Sequence, residues 1–164
     1  MRESSTSAED RGDRWVVAQF ALMALVVAAG WLPPGWPGAA DWVLPAVGAV
    51  SALLGVLIAV WAWRTLDRAA TPYPRPREGG RLIDTGPYEF VRHPIYGAGV
   101  LFFAGYALAT SPAALVPLLG LAVLWRNKAT LEEELLARRY PEYRDYRARV
   151  RGAFIPRPAS ASGN

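Results

Sequence analysis

The chain contains no cysteine and only one histidine, His93. The missing thiols exclude disulfides, thiolate nucleophiles and cysteine-ligated metal sites. A single imidazole also excludes a multi-histidine metal centre, which leaves at most an ion site built on carboxylates. We expect no metal site, and the side chains left for chemistry are one imidazole, one lysine amine, carboxylates, guanidinium groups and hydroxyls.

Long stretches of the chain also lack charge, although a fifth of its 164 residues are charged. Residues 15–32, with Gln19 as the polar exception, and residues 42–63 are each long enough to cross a hydrocarbon core of ~30 Å at ~1.5 Å per residue. Two shorter runs, 95–110 and 112–125, predict a tight helical hairpin with its tip near Ser111. The predicted fold class is an all-α integral membrane protein with about four transmembrane helical segments, and the chain length suits one domain.

Basic residues are absent from the linker 33–41 and from the hairpin tip, and all eighteen lie in 1–14, 64–92 and 126–157. An even number of crossings puts these three regions on one side, which the positive-inside rule makes the cytoplasm. We expect a protein of the cell inner membrane with both termini cytoplasmic and with membrane lipids as partners. Nucleic acid is not expected, because the arginines flank apolar runs; the oligomeric state is not indicated. The first run exceeds the ~7–15 apolar residues of a signal peptide and is predicted to be a retained span.

These patterns divide the chain into four parts. Residues 1–14 are predicted to be a mobile cytosolic N-terminus, 15–63 two helices, 64–156 a region with a cytosolic connector, the hairpin and C-terminal helices, and 157–164 a mobile tail. The connector, 64–91, contains prolines that remove backbone donors and fix φ, so it cannot be one regular helix.

The hairpin geometry predicts where polar side chains meet. His93 precedes Ser111 by 18 residues and Glu132 follows it by 21, so antiparallel helical arms place them within ~4–5 Å of the same height. The same level should hold a cluster that could form a pocket for a polar cofactor beside a lipid-accessible substrate: Arg92, Lys128, Glu133, Tyr88, Tyr96 and Tyr143.

Simpler interpretations of the same residues stay open. Arg92 and His93 could anchor a helix end in the headgroup layer. The segment 131–140 could be a solvated helix with i,i+4 ion pairs. Small residues after the histidine could serve helix packing or let a ligand approach the backbone: Gly97, Gly99, Ala104 and Gly105.

Two stretches in combination carry a family resemblance. "LIDTGPYEFVRHPIYGAG" is followed by "EEELLARRYPEYRDYRARVRGAFIP", and together they span residues 82–156. The pattern resembles the isoprenylcysteine carboxyl methyltransferase family and its relatives, the bacterial phospholipid methyltransferases and small-thiol methyltransferases. The first two predicted spans carry no such signature.

The resemblance implies that residues 64–156 form a catalytic region that binds S-adenosylmethionine at the cytosolic face. Carried over, it implies that His93, Pro94, Tyr96 and Gly97 line the cofactor site, with Glu132 and Glu133 completing it. The cluster at the same level adds Tyr88, Lys128 and Tyr143 as candidate cofactor-binding residues, and Arg92 and Glu133 are the candidate catalytic residues. One departure is Pro141, where the family usually has glycine; we expect this proline to begin the last short helix.

The cofactor chemistry suits these side chains. Carboxylates can bind its ammonium group or ribose hydroxyls, Arg92 or His93 its carboxylate, and tyrosine faces its sulfonium. In-line methyl transfer gains mainly from positioning and from exclusion of water. A lipophilic acceptor with a carboxylate or thiolate needs no base, whereas an amine or hydroxyl would need one, for which Glu133 is the candidate.

Two other functions are compatible with parts of the pattern. An NADPH-dependent membrane reductase of the sterol-reductase type shares an Arg-His-Pro-like motif, and Arg75, Arg77 and Arg81 could hold a 2′-phosphate. A non-enzymatic membrane scaffold would use the polar cluster for orientation alone. The Glu-Glu pair followed by Tyr-x-x-Tyr favours the methyltransferase.

Overall fold

The computed structural model describes residues 12–36, 42–66 and 82–157, and in these ranges it contains five α-helices and no strand. The helices are α1 Asp13–Ala29, α2 Val43–Leu66, α3 Pro94–Ala109, α4 Leu115–Arg139 and α5 Tyr143–Arg149, with 3₁₀ turns at Gly86–Glu89 and Pro112–Ala114. The predicted all-α class is confirmed for this part of the chain. Most of the predicted N-terminus, the proline-rich middle of the connector and nearly all of the tail lie outside the described residues.

The described helices differ in whether they are long and apolar enough to cross a membrane. By length and composition one of them, α2, is long and apolar enough, with a mean hydropathy of 2.5, and α3 is apolar but shorter. The outer faces of α1, α2 and α4 expose large apolar side chains, as helices in lipid do: Val17, Phe20, Leu53, Leu57, Val116, Leu119 and Val123. Four crossings and their orientation stay a prediction.

The helices pack as two pairs. α2 lies mainly along α3, and α1 mainly along α4. Between α1, α3 and α4 a buried apolar core forms: Val26, Phe103, Ala107, Ala114, Leu118, Leu121 and Trp125. α4 is longer than the predicted apolar run, because its helix continues past Trp125 as far as Arg139, and this extension carries Lys128, Glu132 and Glu133.

The hairpin turn is fixed by polar contacts. The Ser111 hydroxyl accepts a hydrogen bond from the Ala113 amide at 3.2 Å, which caps the 3₁₀ turn, and donates one to the Pro34 carbonyl at 3.0 Å. The Trp36 indole donates to the Ala107 carbonyl at 2.9 Å. These contacts bring the segment after α1 to the hairpin tip, so the two regions without basic residues lie together.

The last short helix begins later than expected. Pro141 and Glu142 form a turn, and α5 starts at Tyr143, so the prediction that Pro141 begins this helix is wrong by two residues. The turn places Tyr140, Tyr143 and Tyr146 in a second buried cluster with Val150. Packing of these rings therefore sets the start of α5.

Glycines let α2 and α3 approach closely. A Cβ on Gly48 would lie 2.4 Å from the Gly105 carbonyl oxygen, and a Cβ on Gly105 would lie 2.4 Å from that of Gly48. Further along α2, a Cβ on Gly55 would lie 2.8 Å from the Ala98 carbonyl oxygen. Close backbone contact of this kind is how helices associate in lipid, where no hydrophobic force drives them together.

We expect Gly48→Ala to destabilise the fold by about 1–3 kcal/mol, because the new methyl group meets backbone that cannot rotate away. Without this contact the substitution would stabilise the helix, because alanine has a higher helix propensity than glycine. Gly35→Ala is the control, since a Cβ there has no neighbour within 4 Å. Thermal unfolding in detergent measures both variants, and equal midpoints would contradict this packing.

Candidate functional site

The single histidine lies between two carboxylates. His93 immediately precedes α3, whose first residue is Pro94, a residue suited to a first helical turn. The imidazole is buried, with Nε2 3.1 Å from Glu133 Oε1 and Nδ1 3.5 Å from Glu132 Oε2. Since both carboxylates belong to α4, the structure brings the two arms of the hairpin together at the predicted level.

This contact shifts the ionisation of both partners. Burial, the largest influence, lowers the pKa of His93, but the hydrogen bonds and charges of Glu132 and Glu133 outweigh it and raise the pKa overall. Burial raises the pKa of Glu133, but His93 and Arg92 outweigh it and lower the pKa to about 2. Each partner therefore favours the charged form of the other.

Arg92 connects the same carboxylate to the end of the chain. Its Nε donates to Glu133 Oε1 at 2.8 Å, and its Nη1 donates to the carbonyls of Val150 and Arg151 at 2.7 and 2.8 Å. The amides of Arg92 and His93 donate to the carbonyls of Gly152 and Ala153. Residues 150–154, which we term the C-terminal strap, are thereby tied across the start of α3.

Both predicted anchor residues are thus internal. The side chain of Arg92 is 10% exposed and that of His93 6%. Their charges face Glu133 and the strap, so contact with lipid headgroups does not explain their positions. Glu133 also pairs with Arg147 of α5, whose Nε lies 3.4 Å from Oε2.

An aromatic stack forms one side of the cluster. The Tyr96 ring stacks between His93, at a centroid distance of 5.7 Å, and Trp125, at 5.9 Å. The Phe154 ring of the strap lies roughly perpendicular to the rings of His93 and Tyr96. The Tyr96 hydroxyl donates a hydrogen bond to Glu132, so the stack and the carboxylates form one unit.

Lys128 lies beyond the apolar run of α4 and is almost fully buried. Its Nζ lies 5.5 Å from the Tyr96 ring centroid and donates to Gln19 of α1 at 3.0 Å. Burial lowers the pKa of Lys128, and the charge of Glu132 opposes this. Lys128 thus belongs to the cluster through both α1 and Tyr96.

Three tyrosines lie beside the charged groups. Tyr146 donates its hydroxyl hydrogen bond to the Tyr88 carbonyl at 2.8 Å. Tyr143 is 1% exposed, and its buried hydroxyl has no hydrogen-bond partner among the described residues. Burial raises the pKa of each of these three hydroxyls, and the charge of Glu133 acts on Tyr143 in the same direction. All three therefore remain protonated donors.

Two glycines of α3 lie in close contact with other parts of the fold. A Cβ on Gly97 would lie 2.5 Å from the Phe154 carbonyl oxygen, and on Gly99 it would lie 2.5 Å from the Trp125 ring. The strap, rather than open space, therefore covers Gly97, which the resemblance assigned to the cofactor. Pro94 beside it is buried at the start of α3.

The sequence interpretation missed four residues of this site: Gln19, Trp125, Arg147 and Phe154. Gln19 had a signal, since it is a lone amide in an apolar run. Arg147 and Phe154 lie in the second stretch of the resemblance, but nothing there singles them out, because their places depend on how α5 and the strap fold back. No cluster of three or more His, Asp and Glu side chains in the described ranges has the arrangement of a metal site.

The amino-acid sequence is similar to those of known proteins. The profile of a family described as phospholipid methyltransferase matches residues 43–143. The nickel-cobalt-cadmium resistance protein NccN of Alcaligenes xylosoxydans xylosoxydans is 32% identical over 144 residues, which cover 87% of this chain and 62% of that protein. The cobalt-zinc-cadmium resistance protein CzcN of Cupriavidus metallidurans is 32% identical over 146 residues, 87% of this chain and 61% of that protein. The chain thus spans about three fifths of the length of these relatives.

The imidazolium contact predicts a pH dependence of stability. The pKa of His93 is higher in the folded protein than in the unfolded chain. Its contribution to the stability of the fold is therefore complete below its ordinary pKa of 6.5 and is lost as pH rises through the folded-state pKa. The pKa of Glu133 is lowered, so its contribution to the stability of the fold is complete above pH 4.5 and is lost as pH falls towards about 2. The unfolding midpoint of the wild type should exceed that of His93→Gln most between these values.

We expect that maximum to correspond to about 2 kcal/mol, as for a hydrogen bond to a charged group. Thermal unfolding of both proteins in one detergent, from about pH 4 to about pH 9, measures the difference. A difference that stays constant as pH rises through this range would show that His93 is not held as an imidazolium.

Arg92→Gln should release the strap, because it removes both side-chain hydrogen bonds to residues 150 and 151. Hydrogen exchange at the amides of Arg92 and His93, which donate to the strap, should accelerate about tenfold or more in this variant. Arg149→Gln is the control, since Arg149 pairs with Asp84 at an exposed site. Equal exchange in both variants would contradict the role of Arg92.

Proposed function

We propose that this chain, which belongs to the phospholipid methyltransferase family, is an S-adenosylmethionine-dependent methyltransferase at the cytosolic face of a membrane. Its acceptor is a lipophilic molecule with a carboxyl, thiol or amine group. The family match supports this, since residues 43–143 include His93, both carboxylates and Tyr143. The polar cluster also lies next to helices with apolar exteriors, which would suit a lipophilic acceptor.

The buried hydroxyl of Tyr143 carries the cofactor proposal. A buried donor without a partner costs about 1–3 kcal/mol, so native proteins rarely keep one without a reason. S-adenosylmethionine offers acceptors of the required kind in its carboxylate, ribose oxygens and adenine nitrogens. The residues present therefore fit this cofactor.

The other cofactor contacts follow from charge and shape. Glu132 suits an ammonium group or ribose hydroxyls, and the exposed guanidinium of Arg147 suits a carboxylate. The face of Phe154 suits a sulfonium. When bound, the cofactor supplies an electrophilic methyl group, and these side chains bind it, orient it and exclude water.

Glu133 and Arg92 act in this proposal by holding the site together. A carboxylate whose pKa is about 2 accepts a proton poorly near neutral pH, so Glu133 is a weak candidate for the general base. Arg92 already donates to Glu133 and to the strap. The absence of a strong base among these two residues favours an acceptor that the protein does not need to deprotonate, such as a carboxylate or thiolate.

The alternative functions have less support. The arginines that could hold the 2′-phosphate of NADPH, at 75, 77 and 81, lie outside the described residues, and the family match favours methyl transfer. A scaffold would need the charged cluster only for orientation, yet its side chains are buried and face one another. That arrangement serves a site better than headgroup contact.

The names of the two relatives extend the proposal to metal resistance. This chain has no cysteine, and its one imidazole is held by two carboxylates. We therefore propose that a contribution to metal resistance would come from methylation of an acceptor rather than from direct chelation of the metal by the described residues.

Tyr143→Phe separates binding from stability. Removing an unpartnered buried hydroxyl should leave the unfolding midpoint of the ligand-free protein unchanged or raised, while S-adenosylhomocysteine should bind about tenfold more weakly. Tyr146→Phe is the matched control: it loses the bond to the Tyr88 carbonyl, so its midpoint should fall. Calorimetric titration and thermal unfolding of the detergent-purified proteins measure both effects.

A wild type that binds NADPH and not S-adenosylhomocysteine would replace the proposal by the reductase. Binding of neither by folded protein would favour the scaffold. Equal affinity of Tyr143→Phe and wild type for S-adenosylhomocysteine would remove Tyr143 from the cofactor pocket.

A further inference from the structure

Helix α1 lies outside residues 43–143, the region that matches the family profile, yet one of its side chains reaches the site. The Gln19 side-chain carbonyl accepts hydrogen bonds from the Trp125 indole and from Lys128 Nζ, both at 3.0 Å. Neither the profile nor the family resemblance includes this residue.

The polarity of Gln19 makes this contact significant. An amide within an apolar helix is unfavourable unless its oxygen is hydrogen-bonded, and both lone pairs of this carbonyl are used. Lys128 is the chain's only lysine, beside 17 arginines, and its side chain is 1% exposed. A buried ammonium group requires well-placed acceptors, and Gln19 is one of them.

Both donors that Gln19 binds also contact Tyr96. Trp125 stacks on the Tyr96 ring at an interplanar angle of 15°, and Lys128 Nζ lies over the same ring. Tyr96 in turn stacks on His93 and donates to Glu132. A displacement of either donor would therefore move the Tyr96 ring, which contacts His93 and Glu132.

We propose that Gln19 is a positioning residue of the functional site, which fixes Lys128 and Trp125 against Tyr96. Helix α1 is then a part of the site rather than only a membrane anchor. The inference rests on the proposed function to the extent that Tyr96 and Lys128 form the wall of a cofactor pocket.

The single lysine allows a direct test that is independent of any cofactor. Labelling with an amine-reactive ester at neutral pH, followed by peptide mass mapping, reports Lys128 separately from any terminal amine. Gln19→Leu removes an acceptor of the ammonium group, which increases the neutral, reactive amine and loosens the side chain. We expect labelling to accelerate about tenfold in this variant, the effect of losing one hydrogen bond to a charged group.

Two further variants control the comparison. Gln19→Glu keeps an acceptor for both donors and should label as slowly as the wild type. Phe20→Leu changes the neighbouring, exposed side chain and should also label slowly. Leucine suits an apolar helix, so Gln19→Leu should fold, and circular dichroism verifies this before labelling.

Binding of S-adenosylhomocysteine provides the second readout. Gln19→Leu should bind about tenfold more weakly, while Gln19→Glu and Phe20→Leu should stay within about threefold of the wild type. Faster labelling without weaker binding would mean that Gln19 holds Lys128 but does not position the site, and equal labelling of Gln19→Leu and wild type would overturn the inference altogether.

Failure of the proposed function is distinguishable from these outcomes. A wild type that binds no S-adenosylhomocysteine contradicts the methyltransferase proposal. In that case labelling alone judges the Gln19 contact: a fast leucine variant with a slow glutamate variant supports it, and equal rates exclude it.

Discussion

The carboxylate of Glu133 is paired with three basic side chains from two separate parts of the chain. Arg92 and His93 approach it from the start of α3, and Arg147 approaches it from α5. A buried carboxylate is stable only when it is paired and hydrogen-bonded in this way. Because Arg92 also holds the strap, the packing of Phe154 on Tyr96 and the position of α5 both depend on this one anion.

Elementary helix geometry predicted the central part of this arrangement. The similar heights of His93 and Glu132 follow from the rise per residue along two antiparallel helical arms that meet near Ser111. The segregation of basic residues likewise predicted that the segment after α1 and the hairpin tip share one end, where Ser111 and Pro34 are in contact.

Other features depend on tertiary contacts and could not be predicted. The strap pairs with residues 92 and 93 through backbone groups, which carry no sequence signal. The sequence carries no sign that the Phe154 carbonyl lies against Gly97, a residue that the resemblance places in the cofactor site. Pro141 allowed a helix to begin, and packing of the tyrosine cluster moved that start to Tyr143.

The cluster joins helices inside and outside the family region into one site next to an apolar exterior. This arrangement suits a reaction between a water-soluble cofactor and a membrane-borne acceptor. The most direct test is transfer of a labelled methyl group from S-adenosylmethionine to extracted bacterial lipids and small lipophilic acids, thiols and amines by the reconstituted protein. The account predicts label in an organic-soluble product with the wild type and none with Glu133→Gln. No transfer by folded wild type, or equal transfer by both proteins, would contradict it.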